Sequence, residues 1–418
     1  MKKDIRKIRS DIKGQKSMFV LLISSLLYLF VSYMLSIYGM SSISFNIEYS
    51  NAIMFLMLLI AFFSVQSSLL NKLKLPAVIW TATGFAFFSA ISTLMNYNTQ
   101  QHNILIPITI QSFWWSVLII SFVAFRKNND DKFVSRTHLI FFCVIFILYL
   151  QYAINIKSHN IVTPSMAGSI YYVLLFLPFI MMLETASIRN ICILLISFTT
   201  FLSLKRTAFL ALIGSLFVYF IVDYFVSNKK ITKRFYLISS VFLVLLISIY
   251  MYNFILEKYN MDIMLRFQRL ETDGGSGRDT IYQVVWNEIR TFDIKSLIIG
   301  KGFNGVELTS SVELSAHNDF LEVLYDYGIL GLSLYLAMIF NIIKYNIFLI
   351  KTKSKCAGAF SASLTIFLVM SMFSHLIIYP TYFMLIVTFW MWQFVNGGIA
   401  SKSHQTTQSI SPKRGLST

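Results

Sequence analysis

Apolar runs close to the roughly 20 residues that carry a helix across a bilayer recur along the whole sequence. They fall at about 18–38, 51–70, 75–95, 104–125, 137–155, 167–183, 187–204, 207–226, 235–254, 328–350, 357–378 and 381–397, which makes twelve. In hydrocarbon every backbone N–H and C=O must be satisfied within the protein, so runs of this length fold as helices. The expected fold class is therefore all-α, a polytopic integral membrane protein of about 12 transmembrane helices. Composition points the same way: 56% of the 418 residues are hydrophobic and 13% charged, about half the charge of a soluble domain. One soluble core cannot hide that much apolar surface. The first run follows a basic stretch, as a secretory signal does, but it is too long and no A-x-A-like cleavage site follows, so it reads as a retained helix. The cysteines at 143, 192 and 356 are too scattered for a disulfide framework and read as packing residues.

A net charge of +16 would suggest nucleic acid in a soluble chain, but here the basic residues sort by connection. Cytoplasmic loops keep Lys and Arg, and short translocated loops lose them. With residues 1–17 inside, alternate connections hold 25 of the 35 basic residues. Of the remaining ten, seven lie in one long connection, residues 255–316, which leaves Lys157, Lys205 and Arg206 for all the short outer loops. Both termini are expected in the cytoplasm, and no nucleic-acid partner is implied. The segments are then a basic N-terminus (1–17), nine helices (18–254), a long outer loop (255–327), three more helices (328–397) and a polar tail (398–418) without periodicity.

Residues 255–326 carry twelve of the nineteen acidic residues, whereas ionisable residues at membrane depth are almost absent. Asp223 lies near a cytoplasmic end and His375 near an outer one. A transporter pathway would need more of them. Within the outer loop Ile281, Val285, Ile289 and Phe292 recur at helical spacing, with Val284 and Trp286 beside them. This predicts an amphipathic helix that lies on the membrane face or covers the helix bundle.

Three positions in this outer layer carry chemistry. Arg206 stands where the eighth span begins, so outward-pointing N–H groups and the positive helix end join its guanidinium; a pyrophosphate suits that place, as does a lipid headgroup. Arg278 follows Gly274-Gly275-Ser276-Gly277, a turn where backbone can approach an anion, or simply a hinge. His317 precedes Asn318 and Asp319, either of which can cap a short helix into the tenth span, and a neutral imidazole can take a proton from a sugar hydroxyl. His102, His159 and His375 are also on or near the outer side. The run from Gly300 to Gly305 matches G-x-G-x-x-G, but without a strand-helix-strand setting it reads as a turn. P-loop, zinc and nucleophile-elbow signatures are absent from the sequence.

In this order, residues 203–210 (SLKRTAFL), 275–286 (GSGRDTIYQVVW), 300–303 (GKGF) and 317–332 (HNDFLEVLYDYGILGL) resemble the bacterial O-antigen polymerase and O-antigen ligase superfamily. The resemblance covers roughly residues 200–335 and is most specific in the last run. It implies a metal-independent membrane glycosyltransferase without cofactor, acting at the outer face of the bacterial inner membrane. The implied donor is an undecaprenyl-pyrophosphate-linked oligosaccharide, and a flippase and a chain-length regulator of the same pathway are implied partners. Arg206 and Arg278 would hold the leaving pyrophosphate and His317 would be the general base. Lys205, Arg290, Asp319 and Glu322 would be further substrate-binding residues. The runs look closer to polysaccharide polymerases; a ligase to lipid A core stays open, as does a lipid-linked oligosaccharide flippase.

Overall fold

The computed structural model describes residues 47–70, 75–97, 104–127, 131–158, 170–203, 205–226, 274–377 and 379–408, with Tyr250 and Asn253 besides. Among them every regular element is a helix: α1 (Ile47–Leu70), α2 (Ala77–Met95), α3 (Leu105–Lys127), α4 (Asp131–Ser158), α5 (Ile170–Leu174), α6 (Leu177–Met181), α7 (Ala186–Leu202) and α8 (Arg206–Val226). Further along come α9 (Gly274–Arg290), α10 (Ile294–Ile299), α11 (Gly305–Thr309), α12 (Asp319–Lys351), α13 (Ala357–Phe373) and α14 (Pro380–Gln408).

Ten of the twelve expected spans overlap these helices; that at 18–38 falls outside the described residues, as does that at 235–254 apart from Tyr250 and Asn253. Five are long and apolar enough to cross a membrane, namely Ala77–Met95, Leu105–Arg126, Phe133–Leu150, Arg206–Val226 and Asp319–Lys351. Three boundaries differ from expectation. The run at 167–183 is broken into α5 and α6, with Pro178 at the opening of α6 where its missing N–H costs nothing. The tenth span starts nine residues early, at Asp319, and bends at Gly328 (φ 64°). The polar tail continues α14 as far as Gln408, because extending a formed helix is far easier than nucleating one.

The bundle is built by α13 against α8, α14 and α1 against α3, and α2 against α12. Helix α13 is lined with Ala357, Gly358, Ala359, Ser361, Ala362 and Ser363, all buried. Small residues let helices approach closely where lipid offers no hydrophobic drive. Between the helices Trp114, Phe85, Tyr335, Phe383 and Trp390 fill the core, with Trp114 and Phe383 centred 5.2 Å apart. His138, inside α4, escapes the sequence survey of membrane-depth residues; it is buried and stacks on Phe179 at 4.1 Å.

The connection that leads into α12 has a small core of its own. Ile281, Val285 and Ile289 of α9 are buried against Val306, Ala316 and Tyr325, with Phe292 packed beside them. Each such side chain contributes about 1.5–3 kcal/mol on burial. The apolar stripe of α9 therefore covers protein, not membrane. Helix α10, not a strand, precedes the glycine run, and that run is a turn: Lys301 and Gly302 donate to the carbonyls of Tyr325 and Asp326 at 3.0 and 2.7 Å. Ser92, at the end of α2, donates to the carbonyl of Ile299 at 2.7 Å. The loop is thereby stitched to the bundle at the bend of α12.

Candidate active site

Five segments meet at one end of the bundle: α5, the start of α8, the start of α9, the 315–318 turn before α12, and the connection between α13 and α14. Their meeting point is the C-terminal end of α13, where the last carbonyls lack partners in a following turn and carry the negative end of the helix dipole. The Phe373 carbonyl accepts from the Arg278 guanidinium, and from the Thr207 hydroxyl at 3.1 Å. The Met372 carbonyl accepts from Asn318 Nδ2 at 3.1 Å and from the Tyr282 hydroxyl at 3.4 Å. The hydroxyl of Tyr171, a buried residue of α5, lies beside Ser374 and Thr207, within reach of the Arg278 charge.

Arg278 opens the regular part of α9, because Gly277 before it has φ 78°. One guanidinium nitrogen bonds Phe373, and a guanidinium carries five donors in a fixed fork. Lys205 precedes α8, and its charge, with that of Arg278, acts on His317 and His375. Arg206, half-buried, is the next residue and the first of α8.

His317 is held in an uncommon conformation. Its backbone has φ 52°, a left-handed setting that costs a non-glycine residue energy and persists where surroundings fix it. The Tyr282 hydroxyl shares its one proton between this residue's carbonyl, at 3.3 Å, and that of Met372, and the next residue, Asn318, caps α12 by accepting from Phe320 and Leu321 N–H at 2.9 and 3.2 Å. The imidazole stacks on that of His375 with centroids 4.7 Å apart and planes at 21°. Its Nδ1 is buried without a hydrogen-bond partner. Burial first, then the charges of Arg278 and Lys205, push its pKa down to about 4. The ring is neutral at pH 7.

Three carboxylates line one face of α12 before its bend, and all are buried. Asp319 accepts from the N–H groups of Leu376 and Ile377 at 2.9 and 3.3 Å, and from Tyr335 at 3.4 Å. Glu322 accepts from the Ala316 N–H at 2.6 Å. Asp326 accepts from the N–H groups of Asn304 and Val306 at 2.9 and 3.2 Å. Asp319 and Glu322, expected among the substrate-binding residues, are thus buried and bond backbone. Their partners adjoin the two histidines in the chain, since Ala316 precedes His317 and Leu376 follows His375.

The structure thus brings Lys205, Arg278 and His317 together, with Arg206 at the adjoining helix start. It keeps Arg290 away: that exposed residue ends α9, twelve positions after Arg278, or about 18 Å along the axis. Sequence reading did not single out Tyr171 and Ser374, which sit in apolar runs without a motif, nor Thr207 and Tyr282, which lie within the runs 203–210 and 275–286. His375 had one signal, its charge capacity at an outer end. Among the described residues no group of three or more His, Cys, Asp or Glu is set to hold a metal ion.

A search of curated proteins finds no match to the chain. A family model described as O-Antigen ligase matches residues 191–336, from within α7 to within α12. That stretch holds Lys205, Arg206, Arg278 and His317, while Phe373 and His375 lie beyond it. Residues 191–336 are therefore a domain of the O-antigen ligase family, a family of glycan-transferring membrane enzymes.

Proposed function

We propose that the protein is a polysaccharide polymerase, joining undecaprenyl-pyrophosphate-linked oligosaccharide repeat units at the outer face of the bacterial inner membrane. The observation that carries the transfer chemistry is the meeting of Arg278 and Lys205 with a neutral His317 at one end of the bundle, and the likeness of the 275–286, 300–303 and 317–332 runs to polysaccharide polymerases favours a repeat unit as acceptor. In the reaction an acceptor hydroxyl attacks C1 of the donor sugar, and its proton passes to the His317 imidazole. The bond from C1 to the pyrophosphate oxygen breaks, and its electron pair leaves with the polyprenyl pyrophosphate. Arg278 and Lys205, with Arg206 beside them, face the charge that grows on that oxygen. Donors fixed in advance at such a place stabilise the transition state more than the ground state. Asp319 and Glu322 serve by holding the segments that carry the histidines. Arg290 has no part in this assignment.

A second reading, transfer of the glycan to lipid A core, is favoured by the ligase description of the matching family. Both readings use the same donor and the same residues, so the acceptor decides. Purified protein given lipid-linked repeat units alone is expected to yield a ladder of products spaced by one repeat. Transfer only after lipid A core is added makes it a ligase, and no transfer to either acceptor from the native donor overturns both.

Arg278→Ala is expected to lower kcat by about a hundred- to a thousandfold, as loss of a transition-state donor does. Arg278→Lys recovers part of this, since it keeps the charge and loses the fork. Single-turnover rates at saturating donor measure the effect. Full activity in a folded Arg278→Ala protein removes Arg278 from the site.

A further inference from the structure

Outside the matched domain, the connection from α13 to α14 places a second imidazole flat against the first. His375 stacks on His317 at 4.7 Å on one side and on Tyr379 at 4.3 Å on the other, with planes at 21° and 18°. The stack of three rings is tied at several points. The Ser315 hydroxyl lies 3.4 Å from His375 Nδ1. Asp319 accepts from the two N–H groups that follow His375 in the chain. The Asn318 amide and the Tyr282 hydroxyl both bond the Met372 carbonyl three residues before it. The charged or titratable groups acting on His375 are His317, Lys205 and Arg278, with Tyr379 on its far face.

His317 needs such support. Its Nδ1 has no hydrogen-bond partner, whereas a catalytic histidine is ordinarily aimed by a bond to its second nitrogen. Its left-handed backbone sets the direction of the side chain, but the ring can still turn about its own torsions. A flat aromatic face a few ångströms away restricts that turn without occupying the nitrogen that must accept the proton.

We infer that His375 is a positioning residue, whose ring is the platform that orients the His317 imidazole towards the acceptor hydroxyl. This rests on His317 being the base in the reaction proposed above. The platform requires a planar ring and not an ionisable one. A displacement of about 1 Å at a reacting group costs on the order of a hundredfold in rate, so loss of the plane should appear in kcat and leave donor binding alone.

The test uses full-length protein with lipid-linked repeat units, reading kcat and KM separately and thermal melting as a control of folding. His375→Phe is expected to keep kcat within about threefold, because the plane remains. His375→Ala and the bulkier His375→Leu are expected to lose on the order of ten- to a hundredfold in kcat, with KM for the donor changed less than about threefold. Folded Phe, Leu and Ala variants that all match the unsubstituted protein overturn the inference. Equal inactivity of folded Phe and Ala variants overturns it too, and makes the second imidazole a chemical participant. Full activity in His317→Ala is a different failure, removing the base and the proposed reaction whatever the variants at 375 do.

Discussion

Replacing His317 with alanine is expected to lower turnover by about a hundred- to ten-thousandfold, the usual span for loss of a general base. The pH profile identifies the cause more sharply than the rate does. Only the neutral imidazole accepts a proton, and in the free protein burial, Arg278 and Lys205 hold the pKa at about 4. The acid limb of kcat/KM governed by this group therefore lies near 4 instead of 6.5. Once the donor's anionic pyrophosphate sits beside Arg278 and Lys205, it offsets their field on the ring, so the corresponding limb in kcat moves upward. The cations that hold the leaving group would thus restore basicity to the base when the leaving group arrives. Coincident limbs in the two profiles would sink this coupling. So would an acid limb that survives unchanged in residual His317→Ala activity.

The same shift sets a direction for stability. The folded pKa lies below the unfolded one, so between them the unfolded chain binds more protons than the folded one. The contribution of His317 is fully present above about 6.5 and is lost as pH falls through about 4. His317→Ala is accordingly expected to lose less melting temperature between pH 7 and pH 4 than the unsubstituted protein.

The spans were legible because lipid exposure demands apolar residues on every side, a signal that survives without knowing any contact. Their breaks were less so. The bend at Gly328 depends on α10 arriving from thirty residues earlier, and the split between α5 and α6 lies inside an unbroken apolar run. Arg278 and His317 could be singled out because a basic or titratable residue is conspicuous where few others stand. The stripe of Ile281, Val285 and Ile289 gave the helix but not what it covers, since periodicity records a face and not its partner. The burial of Asp319 and Glu322 was not legible for a related reason: a carboxylate next to a reactive histidine looks the same in sequence whether it is exposed or bonds a buried N–H. Tyr171 and Ser374 gave no signal, since a lone hydroxyl in an apolar run usually bonds its own helix. What makes them part of the site is the end of α13, and that depends on folding.

The largest structural effect is expected at two glycines that meet where α10 reaches the bend of α12. At Gly300, φ is 83° and a Cβ would lie 2.3 Å from the carbonyl carbon and oxygen of Asp326. At Gly328, φ is 64° and a Cβ would lie 2.5 Å from the same atoms of Ile298. These neighbours are backbone, which has no rotamer to yield, so an added methyl forces α10 and α12 apart. Gly300→Ala and Gly328→Ala are each expected to cost on the order of 4 kcal/mol, overpacking and backbone strain together. Separation there also pulls the 302–306 turn from Asp326, the tie between that turn and α12. Activity should fall with stability, and proteolysis within residues 291–316 should accelerate. Gly277→Ala supplies the contrast: φ is 78°, but nothing lies within 4 Å of its Cβ position, so only the backbone cost of about 1–2 kcal/mol applies. If Gly300→Ala melts no lower than Gly277→Ala, the close approach of α10 to α12 is absent in solution. The GKGF run would then owe its glycines to something other than this contact.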